Sequence, residues 1–139
     1  MAERVIEELD EGQCLNLISG GGIGRIAYTS RFGLAVLPVN YAWQDGAVVF
    51  RTAANGPLDE DLRTGIADAD YKVAFEIDSI DTAARQGWNV LIQGPAHRIT
   101  GTGEDAARRT GIEPWAPGPQ EIFVRIVPSR ITGRRVGPA

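Results

Sequence analysis

Six short runs of alternating apolar and polar residues, set between turn signals, constrain this chain most. Alternation with a period of two puts successive side chains on opposite faces of an extended strand. The runs cover residues 24–30, 34–42, 47–52, 71–78, 87–99 and 121–127. Gln44-Asp45-Gly46, between the second and third, is a hairpin signal, because Asp and Gly tolerate the positive φ that a two-residue turn demands. Phe32-Gly33 marks another turn. The pattern predicts a mainly β fold: an antiparallel barrel of six strands with a few short helices. The helices are too few for a doubly wound parallel sheet.

Local signals refine the boundaries. Asp10 caps a short helix over 9–18, with Gln13 three residues on completing a capping box, and Gly20-Gly21-Gly22 ends it. Pro38 predicts a sheet edge or a bulge, since proline has no N–H for a ladder. Gly94-Pro95 predicts a bend or bulge in the fifth strand. Pro57 stands at the first position of a helix over 57–64, where its missing N–H costs little. A short helix is expected over 103–109, a rigid loop over 114–119, and an extension of the sixth strand over 130–134. With no internal repeat, linker or low-complexity tract, the chain reads as one domain over 1–139.

Composition argues against several classes of function. Cys14 is the only cysteine and His97 the only histidine, which excludes an internal disulfide and weighs against a His/Cys metal site. A net charge of −4 argues against general nucleic-acid binding. No apolar run approaches the ~20 residues that span a bilayer. The N-terminal stretch from Met1 to Glu8 is too acidic for a signal peptide, so a soluble, cytoplasmic protein is expected. Lys72 is the only lysine, which leaves little for Schiff-base chemistry or phosphate binding.

The segment from Val48 to Arg63 (VVFRTAANGPLDEDLR) reads as strand, Gly-containing loop and helix start. Two readings stand side by side. Free N–H groups at the helix start, with Arg51 and Thr52 at the strand end, favour an anion. Alternatively Asn55 or Gly56 simply caps the helix, and Asp59, Glu60 and Asp61 stabilise its positive end. Gly20-Gly-Gly-Ile-Gly24 follows a helix and precedes a strand, the wrong context for a dinucleotide loop. Trp43, Trp88 and Trp115 offer rings for a planar ligand, or fill core and interface positions. Trp88 and Gln93 fall on opposite faces of a regular strand. His97 lacks an orienting partner in sequence, so a base or haem-ligand role is disfavoured. Cys14 sits on an apolar helix face as a small hydrophobe.

The order of these pieces resembles the flavin-binding split-barrel proteins related to pyridoxamine 5′-phosphate oxidase, and is most similar to short, single-domain, actinobacterial-type members. Gly24-Arg-Ile-Ala-Tyr28, Val36-Leu-Pro-Val-Asn-Tyr41 with Val49-Phe-Arg-Thr52, Val73-Ala-Phe-Glu-Ile-Asp78 and Gly87-Trp-Asn-Val-Leu-Ile-Gln-Gly94 carry the likeness. Pro114-Trp-Ala-Pro-Gly118 and Arg130-Ile-Thr-Gly-Arg134 also fit. The resemblance implies a six-stranded split barrel, a homodimer and two flavins at the subunit interface. It implies that Pro38, Val39 and Asn40 line the flavin ring and that Arg51 and Thr52 reach the phosphate. Trp88 and Gln93 would approach from the fifth strand, and Trp115 from the partner subunit. The flavin would be FMN, and the activity that of an oxidoreductase of unidentified substrate.

One departure bears on this expectation. Members of the family often carry a Lys in the loop after Arg-Thr; here Pro57 stands in its place, followed by Asp59, Glu60 and Asp61. At about 4–6 Å and an effective dielectric near 20, each carboxylate facing a phosphate costs a few kcal/mol. A single Arg contact returns about 1.5–3 kcal/mol. Two alternatives therefore accompany the FMN reading: a deazaflavin-dependent reductase using Arg25, Arg31 or Arg51, and a cofactor-free dimeric binding module of the same fold.

Overall fold

The computed structural model describes residues 3–53, 58, 71–115, 118–119 and 122–138. The elements run β1 (Arg4–Leu9), α1 (Glu11–Ile18), β2 (Gly22–Ser30), β3 (Gly33–Gln44), β4 (Ala47–Thr52), β5 (Tyr71–Asp81), β6 (Gln86–Arg98), α2 (Gly103–Arg108), β7 (Ile122–Ile126) and β8 (Arg130–Pro138). All six expected strands are present as β2 to β7. They pair antiparallel in a closed ring, β2–β3–β4–β7–β6–β5 and back to β2. This is the predicted six-stranded barrel. Outside the ring β8 pairs with β6, and β1 with β8.

The turn and cap chemistry follows the sequence. Asp45 and Gly46 take φ of 51° and 78°, the two positive values of a type I′ hairpin turn. The capping box forms: Gln13 N–H donates to Asp10 Oδ1 at 2.8 Å, and Asp10 N–H to Gln13 Oε1 at 2.9 Å. β3 pairs with β2 over Gly33–Tyr41 but with β4 only over Tyr41–Gln44. Among the described residues 33–40 therefore form a sheet edge, the position that suits Pro38.

β6 has two partners on its second side: β8 over Gly87–Gln93 and β7 over Ala96–Arg98. Of the bend or bulge expected at Gly94-Pro95, a bulge against β5 is absent, since β5 and β6 stay paired one to one from Tyr71 with Ala96 to Asp81 with Gln86. An exchange of neighbours takes its place. Ser129 N–H donates to Gln93 O at 2.8 Å where the chain passes from β7 to β8. A Cβ on Gly94 would collide with the Val127 carbonyl oxygen, so glycine is required there by space.

Alternate residues of the strands point into the barrel. Ile26, Tyr41, Phe50, Phe75, Val90, Ile92, Val124 and Ile126 are buried together. Phe75 sits edge-on to Tyr41 (centroids 5.5 Å apart) and stacks with Phe50 at 6.2 Å. Each such ring contributes about 1.5–3 kcal/mol by burial. α1 buries Cys14 and Ile18 against this core. α2 and the chain after it cover the outer face of β4 and β7, burying Val49, Ala107, Ile112 and Phe123 as a second cluster. The helix expected over 57–64 lies outside the described residues except for Leu58, which is buried in the core. Pro57 and the acidic run Asp59–Asp61 lie outside them too.

Candidate functional site

The barrel wall opens where β3 and β4 part. Tyr41 pairs with Phe50, but beyond that pair β4 follows β7 to Thr52 while β3 follows β2 towards Gly33. A cleft of about 370 Å³ occupies the gap, within the range of about 300–1,000 Å³ typical of small-ligand pockets. Ile23, Leu37, Pro38, Val39 and Pro114 give it apolar walls, and Trp115 flanks it. Asn40, Arg51 and Thr52 are its polar groups. Arg51 is the only charged side chain among the described residues that line it.

Contacts with described residues hold Arg51 in place. Its Nη1–H donates to the Ile112 carbonyl at 3.2 Å, and its guanidinium carbon lies 5.1 Å from the Phe123 ring centroid. Ring and guanidinium are brought together because Arg51 and Phe123 are cross-strand partners on β4 and β7. Asn40 is fixed as well: its Oδ1 accepts the Trp115 backbone N–H at 3.0 Å, so the amide nitrogen is the donor it offers. The contact also brings Trp115, 79% exposed, to the cleft of its own chain.

Six of the eight residues nominated from the sequence thus converge: Pro38, Val39, Asn40, Arg51, Thr52 and Trp115. Trp88 and Gln93 do not join them, because β5 and β2 stand between β6 and β3. Trp88 packs against the barrel core, while Gln93 lines an outer groove with Arg130 and Thr132, on the opposite face as the period of two requires. Ile23, Leu37 and Pro114 were not foreseen, nor were Ile112 and Phe123 as the supports of Arg51. The missing signal was strand pairing: Ile23 faces Asn40 only through the β2–β3 register.

Beside the cleft, Arg25 pairs in register with Pro38 on one side and Glu76 on the other. Its Nη1 lies 3.1 Å from Asp78 Oδ2 and 3.4 Å from Glu76 Oε1. One guanidinium between two carboxylates favours the closer. Burial, with the Asp78 carboxyl next to it, pushes Glu76 up to about 7 from its ordinary 4.5, and Arg25 opposes this without cancelling it. Burial likewise raises the Cys14 thiol, aided by Asp10 and Glu11, in keeping with a packed hydrophobe rather than a nucleophile. Trp43 packs against the core. His97 is exposed, pairs with Arg125 across β6 and β7, and does not line the cleft. No described helix is long and apolar enough to cross a membrane. Among the described residues no group of three His, Cys, Asp or Glu is placed to hold a metal ion.

Comparison with known proteins gives consistent matches. The family model described as pyridoxamine 5′-phosphate oxidase matches residues 10–135. The uncharacterized protein Rv0080 of Mycobacterium tuberculosis is 31% identical over 133 residues, covering 96% of this chain and 87% of that protein. Among solved structures, the FAD binding protein from Mycobacterium smegmatis superposes with a TM-score of 0.72 at 31% identity, over 92% of this chain and 95% of the other. A conserved protein of unknown function from Corynebacterium diphtheriae gives 0.69 at 29% identity, over 93% and 96%.

Proposed function

Because the chain belongs to the pyridoxamine 5′-phosphate oxidase family, we propose that it is a flavin-binding oxidoreductase that holds FMN in the cleft between β3 and β4. The observation that carries the reading is the positioned Arg51, the charged side chain among the described residues that line an otherwise largely apolar cleft. A planar ring suits the walls of Pro38, Val39 and Leu37. The Asn40 amide nitrogen donates to ring carbonyl oxygens, and Arg51 with Thr52 takes the phosphate by charge-assisted hydrogen bonds. When bound, the flavin supplies hydride chemistry, and the protein supplies position and fixed donors. The cleft offers no carboxylate or histidine among its described residues.

A homodimer belongs to the same proposal. Leu34 and Val36 on the open edge of β3 are 87% and 61% exposed, and Trp88 and Gln93 reach a flavin only from a second copy. A cytoplasmic location is in keeping with it.

The likeness to an FAD binding protein at 31% identity supports FAD as the competing form of the cofactor. Mass spectrometry of the small molecules released from the purified, denatured protein decides among FMN, FAD and a deazaflavin. Yellow protein that releases FMN is the expected result. Protein that arrives colourless and binds none of the three when they are added would leave the cofactor-free module standing.

A further inference from the structure

One row of side chains crosses the outer face of the sheet from the cleft towards Gln93. Opposed residues of antiparallel strands share a face, and the register sets Pro38 of β3, Arg25 of β2, Glu76 of β5 and Leu91 of β6 side by side. Pro38 lines the cleft at one end, and at the other Leu91 stands two residues from Gln93 on the same face. Asp78 follows Glu76 on that face of β5. The middle of the row is therefore charged. Arg25 Nη1 lies 3.1 Å from Asp78 Oδ2 and 3.4 Å from Glu76 Oε1, and the Arg25, Asp78 and Glu76 side chains are 49%, 20% and 33% exposed. One guanidinium cannot neutralise both carboxylates, so the cluster is balanced only while Glu76 holds a proton.

The other groups around Glu76 leave that imbalance in place. β6 sets neutral Leu91 opposite it and neutral Asn89 opposite Asp78. Asp81 at the end of β5, Arg85 in the turn after it and Arg134 of β8 line the same cavity as Glu76, and among the described residues none of them forms an ion pair with it. Arg85 is accompanied there by Asp81, and Arg134 has Glu8 opposite it on β1.

We propose that Arg25, Glu76 and Asp78 form a proton-operated latch at the centre of the subunit interface, which closes two copies over their clefts while each cluster holds one proton and parts them when it leaves. The inference rests on the homodimer of the reading above. A two-fold interface presents the same patch on both copies. When the partner's Gln93 meets this copy's cleft, symmetry brings this copy's Gln93 to the partner's cleft, and the axis crosses the row between cleft and Gln93 at its middle. Arg25 and Glu76 stand there, so each cluster meets its own counterpart. Fully ionised, the two copies set four carboxylates around two guanidinium groups, and the repulsion is less screened once water is excluded. With both Glu76 side chains protonated the charges balance, and each carboxyl gains an O–H donor. Burial and the neighbouring Asp78 already push Glu76 up to about 7 in one copy, against the pull of Arg25. Cover by a second copy acts in the same direction, so association takes up protons and weakens as pH rises.

The test is the dimer dissociation constant of the full chain, measured by sedimentation equilibrium at about pH 6 and about pH 8, on either side of the Glu76 titration. Glu76→Gln and Asp78→Asn are measured alongside, each checked for its fold by circular dichroism. The natural chain is expected to dissociate about tenfold or more readily at the higher pH, since each linked proton changes the constant by up to about tenfold per pH unit. Glu76→Gln should stay tightly dimeric at both values. Asp78→Asn leaves one carboxylate for each guanidinium and should lose the dependence too. A dimer whose constant does not move with pH, or moves as far in Glu76→Gln, would overturn the latch and leave the homodimer standing. A monomer at both values would overturn latch and homodimer together.

Discussion

The Arg51 guanidinium lies over the Phe123 ring, 5.1 Å from its centroid, across the β4–β7 ladder. The pairing converts a long, mobile side chain into a positioned cation at the end of the cleft. The ring is buried and the Ile112 carbonyl accepts a hydrogen bond from the same group, so the charge is aimed before any ligand arrives. Such pre-positioning lowers the ordering cost of binding an anion.

Arg51→Ala removes a cation–π contact of about 0.5–1 kcal/mol and a hydrogen bond of about 1 kcal/mol. A loss of about 1–2 kcal/mol in stability is expected from urea unfolding of the cofactor-free chain. Arg51→Lys keeps the charge but not the planar stack, and recovers less than half of the loss.

Tyr41 O–H donates to the Ile18 carbonyl at 2.8 Å, tying β3 to the end of α1, and burial pushes its phenol up to about 12. Gly21 N–H also donates to that carbonyl, at 3.1 Å, so the acceptor keeps a partner in Tyr41→Phe. The expected cost is therefore only about 1 kcal/mol, read as a shift of the denaturation midpoint with unchanged slope.

A Cβ on Gly133 would lie 2.6 Å from Cys14 Sγ and 3.0 Å from Asn89 O. Gly133→Ala is expected to destabilise by about 1–3 kcal/mol through overpacking. Adding Cys14→Ala removes the sulfur and should return part of that loss, a coupling of about 0.5 kcal/mol or more in a double-mutant cycle. Strict additivity would show that α1 does not press on β8 at this point.

Glu76 titrates near 7 in the folded chain against an ordinary 4.5, so the folded state holds a proton that the unfolded state releases. Its contribution to stability is complete below about 4.5 and is lost as pH rises through about 7. Melting temperatures measured from about pH 5 to about pH 8 should fall for the natural chain, and fall less for Glu76→Gln. Parallel profiles would contradict this.

The ring strands were legible because each buries one face and so alternates. Asp10 with Gln13 and Asp45-Gly46 were legible because their chemistry is local. β1 was not, since Val5 and Ile6 are adjacent rather than alternating and only Leu9 of the strand is buried. β8 was seen only as an extension over 130–134, because Gly133 and Gly137 take the buried positions where apolar residues would have marked it. The exchange of partners along β6 left only Gly94-Pro95 as its trace, which is also what a bulge would leave. For the site, the residues on β3 and β4 could be named from their segments. Phe123 and Ile112 could not, because nothing local shows that β7 lies beside β4.

The most direct test of the central claim is an equilibrium titration of FMN against the cofactor-free natural chain and Arg51→Ala, followed by quenching of flavin fluorescence. The cleft between β3 and β4 predicts affinity lowered by about tenfold or more in Arg51→Ala, on the strength of a charge-assisted contact. Natural affinity in Arg51→Ala, with its fold intact, would contradict the assignment of the cleft.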